Sequence, residues 1–393
     1  MEMFQKEMLD SFVDSHMEEM WDIALYIHKN PELGYEEHKA CKAQCDYLEA
    51  QGFQVQRGVE ELDTAYVAVY GEGSPVIGIA SEYDALKNLG HGCGHNLICT
   101  SSILTAAAVK EYLKTHSGTV KVIGTPAEEG GGGKIRLLEK GVFDDVDAVF
   151  MMHPTSDKSR LAGACMSSRG VKVTFHGISA HAGSHPDRGR NALSAASLYL
   201  SAIGFWQQHF EEDMRVSHIM TEGGAQPGMI PDRVCLSGSL RSFSLKNLNK
   251  LEDIVKECAQ GCAQAMECTA EVEITEGYLG RIPNKTLSDV CRQELEALGE
   301  PLLDGMPSDF GGEDLGNVSY QIPICNPYIT IFPEYKISGH TEQFKELACS
   351  SAGYRCIQVT AKAMARSITD LFENPELLRE AGEELKNRLK KEQ

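Results

Sequence analysis

Seven consecutive residues concentrate groups able to hold a metal: Gly90-His91-Gly92-Cys93-Gly94-His95-Asn96. Cys93 offers a soft thiolate and His95 an imidazole two positions on, and the small neighbours let the backbone turn both toward one point. Alone, the pair is equally at home as a buried thiol beside a satisfied histidine, so a metal site needs donors from elsewhere. Glu128 and Glu129 are adjacent carboxylates followed by four glycines, Gly130 to Gly133, that permit close approach. One could bind metal while the other accepts a proton from water. The bland alternative is a solvated acidic turn. His153 precedes Pro154, and His340 lies in Gly339-His340-Thr341-Glu342, where a plain loop histidine is the competing reading. Cys93, His95, Glu129, His153 and His340 make five donors, which with a bridging water suit two divalent ions about 3.5–4 Å apart. Thiolate, imidazole and carboxylate together favour Zn²⁺ and admit Mn²⁺.

The elements around these residues predict how they could meet. Apolar side chains at helical intervals predict a helix from about Ser11 to Lys29, broken by Pro31 and Gly34, and a second from Glu36 to Gln51 closed by Gly52. Val76 to Ala80 reads as a short buried strand, and a helix from about Asn96 to Lys114 follows the opening motif, with Asn96 suited to cap it. The layout repeats: Thr119 to Thr125 is a strand before Glu128-Glu129, and Asp147 to Met152 is a buried strand before His153. Strand, loop and helix in alternation predict an α/β sheet whose ligands gather beyond the carboxyl ends of its strands. Cys93, His95, Glu128, Glu129 and His153 all fall there.

From about Ser167 the texture changes. Strand, helix, strand, strand, helix and strand follow one another to about Thr275, the ferredoxin-like order, which predicts a second domain inserted into the first. The α/β texture returns after Tyr278, with strand-like runs at Gly316 to Tyr320 and Tyr328 to Ile331, helices at Lys285 to Leu298 and from Glu346 onward, and a break at Pro375. The expected division is a catalytic domain of residues 1–167 and 279–393 and an inserted domain of residues 168–278.

Composition limits the partners. A chain of 393 residues with 42% hydrophobic content can bury the core of two domains. A net charge of −20 argues against nucleic acid, and no apolar run is long enough to predict a membrane span. The first residues lack the pattern of a secretory leader. Thirteen cysteines, without a Cys-x-x-Cys pair, predict a reduced protein of the cytoplasm and not a disulfide scaffold; Cys41/Cys45 and Cys258/Cys262 read as small buried helix residues. The His-x-Glu and Pro-Cys-x-x-Cys pair of zinc nucleobase deaminases is absent, as is His-Glu-x-x-His.

Gly-His-Gly-Cys-Gly-His-Asn, Gly-Thr-Pro-Ala-Glu-Glu-Gly-Gly, Phe-Met-Met-His-Pro, Gly-Ile-Ser-Ala-His-Ala and Gly-Asn-Val-Ser stand in order between Pro31 and His340. In these motifs the chain resembles the two-metal exopeptidase family of aminoacylases and glutamate carboxypeptidases. Within it, the chain is similar to the amidohydrolase branch acting on indoleacetyl-amino acids, aminobenzoyl-glutamate and certain dipeptides. Asn96, where most of the branch has aspartate, is similar to the aminobenzoyl-glutamate hydrolase and β-alanyl-lysine dipeptidase side. The resemblance implies a mixed-sheet zinc-exopeptidase catalytic domain with an inserted ferredoxin-like α+β lid and dimerisation domain. It implies two divalent ions, Zn or Mn, held by Cys93 as bridge and by His95, Glu129, His153 and His340, with Glu128 as general base. It implies that Asp84 orients a ligand, that His181 polarises the scissile carbonyl across a homodimer, with His176 and His185 as rivals, and that Arg241 binds the substrate carboxylate, against an exposed strand arginine. Asn191 would contact substrate or cap a helix. Asp314, Asn317 and Ser319 would line the site. Lys87 and Gly228 depart from the branch, where proline and asparagine are usual, and the second puts fine substrate preference in doubt.

The function expected is a metal-dependent amidohydrolase or dipeptidase cleaving N-acyl or aminoacyl amino acids with a free carboxylate. The alternative is a non-catalytic binding or partner subunit retaining the fold. It would predict loss of the base or of a ligand, and none is lost.

Overall fold

The computed structural model describes residues 2–392, with side-chain environments from 6 to 390. The chain separates into two compact units, one of residues 1–164, 281–309 and 314–391, the other of residues 165–280 with 310–313. In chain order the first unit opens with α1 (Glu2–Lys29), α2 (His38–Ala50), β1 (Gln54–Val59), β2 (Leu62–Glu72) and β3 (Val76–Glu82). There follow α3 (His95–Leu113), β4 (Gly118–Thr125), α4 (Gly133–Glu139), β5 (Ala148–Phe150), β6 (His153–Thr155) and β7 (Arg160–Leu161). The second unit holds β8 (Ser167–His176), α5 (Ala192–Trp206), β9 (Arg215–Glu222), β10 (Arg233–Ser242), α6 (Leu245–Ala265) and β11 (Thr269–Glu276). The first unit then resumes with α7 (Lys285–Ala297), α8 (Leu315–Ser319), β12 (Ile324–Cys325), β13 (Pro327–Thr330), α9 (Glu342–Ala348), α10 (Ser351–Glu373) and α11 (Pro375–Glu392).

The first unit is built on a six-stranded mixed sheet in the order β1-β2-β4-β3-β5-β12. β4, β3, β5 and β12 run parallel, β2 runs antiparallel to β4, and β1 runs antiparallel to β2. Its central strands are buried on both faces: Ile77, Ile79, Val120 and Val122 join the core beneath α1, α3 and α10, while Ala80, Ile123 and Val149 join a second core with Leu137 and Leu138 of α4. That is why these strands read as continuous apolar runs. α3 is buried along almost its whole length, wedged between α1, α10 and the sheet, and the hydroxyls of its buried Thr100, Ser101 and Thr105 donate to carbonyls of the preceding turn. Its first residue is His95, so the most deeply packed helix begins at the metal motif.

The second unit is a four-stranded antiparallel sheet, β11-β8-β10-β9, with α5 and α6 packed on one face. Val234, Leu236 and Leu240 of β10 point into that core, so Arg233, Ser237, Ser239 and Arg241 lie on the opposite face.

Three local expectations are corrected. Gly316 to Tyr320 is not a strand but lies in α8 and its C-terminal cap, because Leu315 and Val318, three apart, reach one core. Asn96 is not the N-cap of α3; that position is Gly94 at φ 80°, and Asn96 is wholly buried in the first turn, its amide donating to the Ala348 carbonyl at 3.2 Å. The first helix starts at Glu2 instead of Ser11, since Leu9 and Val13 continue the buried stripe toward the N-terminus. The break at Pro375 is observed between α10 and α11.

Candidate metal centre

Three adjacent parallel strands deliver the donors. β3 ends at Glu82 and leads to Asp84, β4 ends at Thr125 and leads to Glu128 and Glu129, and β5 is followed by His153 at the start of β6. The motif between β3 and α3 turns on left-handed glycines: Gly94 has φ 80°, and a Cβ there would sit 2.6 Å from Pro154 Cγ. Only glycine lets this loop lie against the residue that follows His153. His340, at φ 59°, donates its backbone N–H to the Gly92 carbonyl at 2.9 Å, which fastens the distant loop to the motif.

The side chains converge in three overlapping groups. Cys93, His95 and His153 form one, Cys93, Glu129 and His340 a second, and His95, Glu128 and Glu129 a third, with ligand atoms in each within 4.8 Å of one another. Cys93, His95 and Glu129 each belong to two of the three groups, which ties the groups into one cluster. Individual separations are 3.5 Å from Cys93 Sγ to His153 Nε2, 3.3 Å from His340 Nε2 to Glu129 Oε1, and 3.9 Å from His95 Nε2 to Glu129 Oε1.

Hydrogen bonds fix which nitrogen each ring presents. His95 Nδ1 donates to the Asp84 carbonyl at 2.9 Å and lies 3.1 Å from Asp84 Oδ1, and His153 Nδ1 donates to the Pro154 carbonyl at 2.7 Å. Both rings therefore turn Nε2 inward, the arrangement by which ligand histidines are held. Tyr328 stacks on the His153 ring at 5.0 Å. Asp84 does double duty, since its Oδ2 accepts the Glu129 backbone N–H at 2.9 Å. His95 Nε2 and Glu129 Oε1 are buried yet make no hydrogen bond. Buried polar atoms are rarely left so, and a cation shared between them accounts for both. The donor set and these two atoms fit a pair of divalent ions.

Electrostatics point the same way. Burial would raise the Cys93 thiol, but the His153 and His95 rings bring it down to about 6. The neighbouring Cys93 and the Glu129 carboxylate push His340 up to about 10. Against burial, Glu82, Cys93 and Asp84 draw His95 toward the charged form, and His340 and His95 hold Glu129 below its usual range. Burial, then Glu82 and Asp314, push Glu128 well above it. The pocket gathers anions that call for positive charge.

In the second unit, His181 is exposed and its Nδ1 accepts two backbone N–H groups, from Gly183 at 3.2 Å and Ser184 at 3.0 Å. Its proton therefore sits on Nε2. Asn191 caps α5, its Oδ1 accepting from Leu193 at 2.9 Å and Ser194 at 3.3 Å, so this oxygen is engaged. Arg241 is half-buried and directly opposite Arg215 of β9; neither makes an ion pair among the described residues. Like charges so placed repel, and an anion would relieve them. Arg215 escapes a reading of the sequence because nothing local reveals a cross-strand partner. Ser319 serves the fold, accepting from Ile282 N at 2.9 Å and donating to the Gly316 carbonyl. Glu82 and Lys134 escape it too. The available signal for Lys134 is its place three and four residues before Leu137 and Leu138, on the buried stripe of α4.

Fold and site define a metal-dependent hydrolase of peptide or amide bonds. The chain belongs to peptidase family M20/M25/M40, whose profile matches residues 78–366. It is 34% identical to the Xaa-Arg dipeptidase of Mus musculus, over 97% of this chain and 92% of that protein. It is 28% identical to one of the subunits of the p-aminobenzoyl-glutamate hydrolase of Escherichia coli K12, over 96% of this chain and 94% of that protein. Its fold is shared with a dinuclear metal-binding peptidase of the M20 family from Bacillus subtilis, at TM-score 0.70 and 22% identity, over 88% of this chain and 98% of that one. The resemblance read from the motifs was to this family, and the chain is an amidohydrolase or dipeptidase within it. No helix among the described residues is long and apolar enough to cross a membrane.

Proposed function

We propose that the chain hydrolyses the amide bond of dipeptides or N-acyl amino acids that carry a free carboxylate. The observation that carries the reading is the convergence of the Cys93 thiolate, the inward Nε2 atoms of His95 and His153, Glu129 and His340. These five would hold two divalent ions; thiolate and imidazole favour Zn²⁺, and Mn²⁺ is the alternative. When bound, such ions supply Lewis-acid polarisation of the amide carbonyl and acidify water. Glu128 takes the proton of the attacking water and returns it to the leaving nitrogen. Its raised proton affinity, from burial and then Glu82 and Asp314, suits a group that must hold that proton between the two transfers. His181 of one copy, with its proton on Nε2, would donate to the developing oxyanion at the site of a second copy. Arg241 grips the free carboxylate with its planar fork, and Asn191 has its amide left for substrate.

In this reading residues 165–280 form a lid that also joins two copies. β9 is an edge strand, exposed along most of its length, and carries Ile219 at 67% exposure. α5 lies beside it, Tyr199 bonding His218 at 3.0 Å, and bares Phe205 at 71% exposure. An open strand edge with apolar neighbours suits pairing with a second copy. All the cysteines are free thiols, in keeping with the cytoplasm.

The test is a panel of Xaa-Arg, Xaa-Lys and Xaa-Ala dipeptides, N-acyl amino acids and aminobenzoyl-glutamate, with released amine measured after loading Zn²⁺ or Mn²⁺. Turnover of at least one class, abolished by amidating its carboxylate, is expected. Silence across the panel with two ions bound would favour a binding protein instead.

A further inference from the structure

Behind the ligand cluster lies a charged triad that the reaction above does not use. Lys134, in the first turn of α4, reaches Glu82 Oε2 at 2.5 Å and Asp314 Oδ1 at 2.6 Å. Asp314 Oδ2 also accepts the Lys134 backbone N–H at 3.0 Å. All three side chains are buried, at 0–1% exposure. They come from different elements: the end of β3, the start of α4 and the residue before α8. Burial opposes the charge on Lys134, but Asp314, Glu82 and Glu128 keep it protonated.

Such a triad is a poor device for stability, because apolar packing of the same volume does as well or better. What it does well is fix geometry. With Oε2 locked to the ammonium, Glu82 holds its other oxygen 3.4 Å from His95 Nε2, the ring atom turned toward the other donors. Lys134 also directly follows the glycine run after Glu128 and Glu129. Within that run Gly133 folds back so closely on the Pro126 carbonyl that a Cβ would collide with it. The carboxylate loop is thus tied at one end to Asp84 through the Glu129 N–H, and at the other to Asp314 through Lys134.

We propose that Lys134 is a positioning residue for the metal centre. It clamps Glu82 against His95 and pins the loop of Glu128 and Glu129 to β3 and α8, so that ion affinity depends on it although it is not a ligand. The proposal rests on the reading of Cys93, His95, Glu129, His153 and His340 as ligands.

Three proteins test it, with Zn²⁺ affinity read by competition against a chromophoric chelator and folding read by thermal unfolding of the metal-free protein. Glu82→Gln leaves Lys134 paired one-to-one with Asp314, so it should unfold at or above the parental temperature. Yet it should bind Zn²⁺ roughly 10–100-fold more weakly, because it removes the carboxylate charge held 3.4 Å from the ion-facing His95 Nε2, an effect of the size of losing an outer partner of a ligand. Lys134→Met strands two buried carboxylates and is expected to fold poorly. The triple variant Lys134→Met, Glu82→Gln, Asp314→Asn removes those charges and should recover folding without recovering affinity. Parental Zn²⁺ affinity in both folded variants would overturn the proposal and leave a purely structural triad. An unaltered protein that takes up no Zn²⁺ would instead overturn the metal-site reading itself.

Discussion

Replacing Asp84 by asparagine tests the geometry with a change of one atom. Asp84 presents two acceptors to two donors: Oδ1 lies 3.1 Å from His95 Nδ1, and Oδ2 accepts the Glu129 N–H at 2.9 Å. Asparagine offers one acceptor and one donor. In either orientation its amide N–H faces a donor, behind the His95 ring or beneath Glu129. A buried donor left without an acceptor costs about 1–3 kcal/mol. The Asp84 backbone carbonyl still accepts from His95 Nδ1, which preserves the tautomer and bounds the damage. The expected result is a 10–100-fold loss of metal affinity, equivalent to about 1.4–2.7 kcal/mol. The midpoint of metal-free unfolding should fall with it. Competition titration and thermal unfolding measure the two. An Asp84→Asn protein with parental affinity and unfolding temperature would refute the claim that Asp84 sets both ligands.

Three further outcomes are expected. Glu128→Gln should lower kcat about 10²–10⁴-fold with two ions still bound; loss of an ion on metal analysis would make Glu128 a ligand and not the base. Gly94→Ala forces a Cβ against Pro154 at φ 80°, and should cost roughly 1–3 kcal/mol of stability and loosen metal binding, seen together by unfolding and titration. Asp370 is pushed up to about 6, by burial first, opposed by Lys6 and reinforced by Glu294. A carboxyl raised in the folded state weighs against folding once pH passes its unfolded value near 4, with the full cost reached above about 6. Asp370→Asn should therefore stabilise the protein at pH 8 by ~1 kcal/mol, discounted for partial exposure, and leave it unchanged at pH 3. A gain at pH 3 equal to that at pH 8 would contradict the sign.

Legibility in the sequence follows how local the physics is. β3, β4 and the strand before His153 are visible because strands buried on both faces read as apolar runs, and donors just past their ends can be expected to meet. α8 reads as a strand because a five-residue helix carries too few turns to show a period. Residue type alone makes Asn96 a cap, whereas Gly94 ends the turn and leaves Asn96 inside the helix. Arg215 and Lys134 do not stand out because their significance lies wholly in partners far along the chain, Arg241 across a strand pair and Glu82 and Asp314 on other elements.

The sequence by itself determined the family and the inventory of the site: a thiol, three imidazoles and two carboxylates in an order and spacing that few other chemistries require. Tertiary structure alone decided how they are aimed. It turned the Nε2 atoms of His95 and His153 inward by giving each Nδ1 an acceptor, placed Cys93 within two of the three donor groups, and set Lys134 behind them. Residue types specify which bonds can form, but orientation depends on hydrogen-bond partners that only the folded chain brings together.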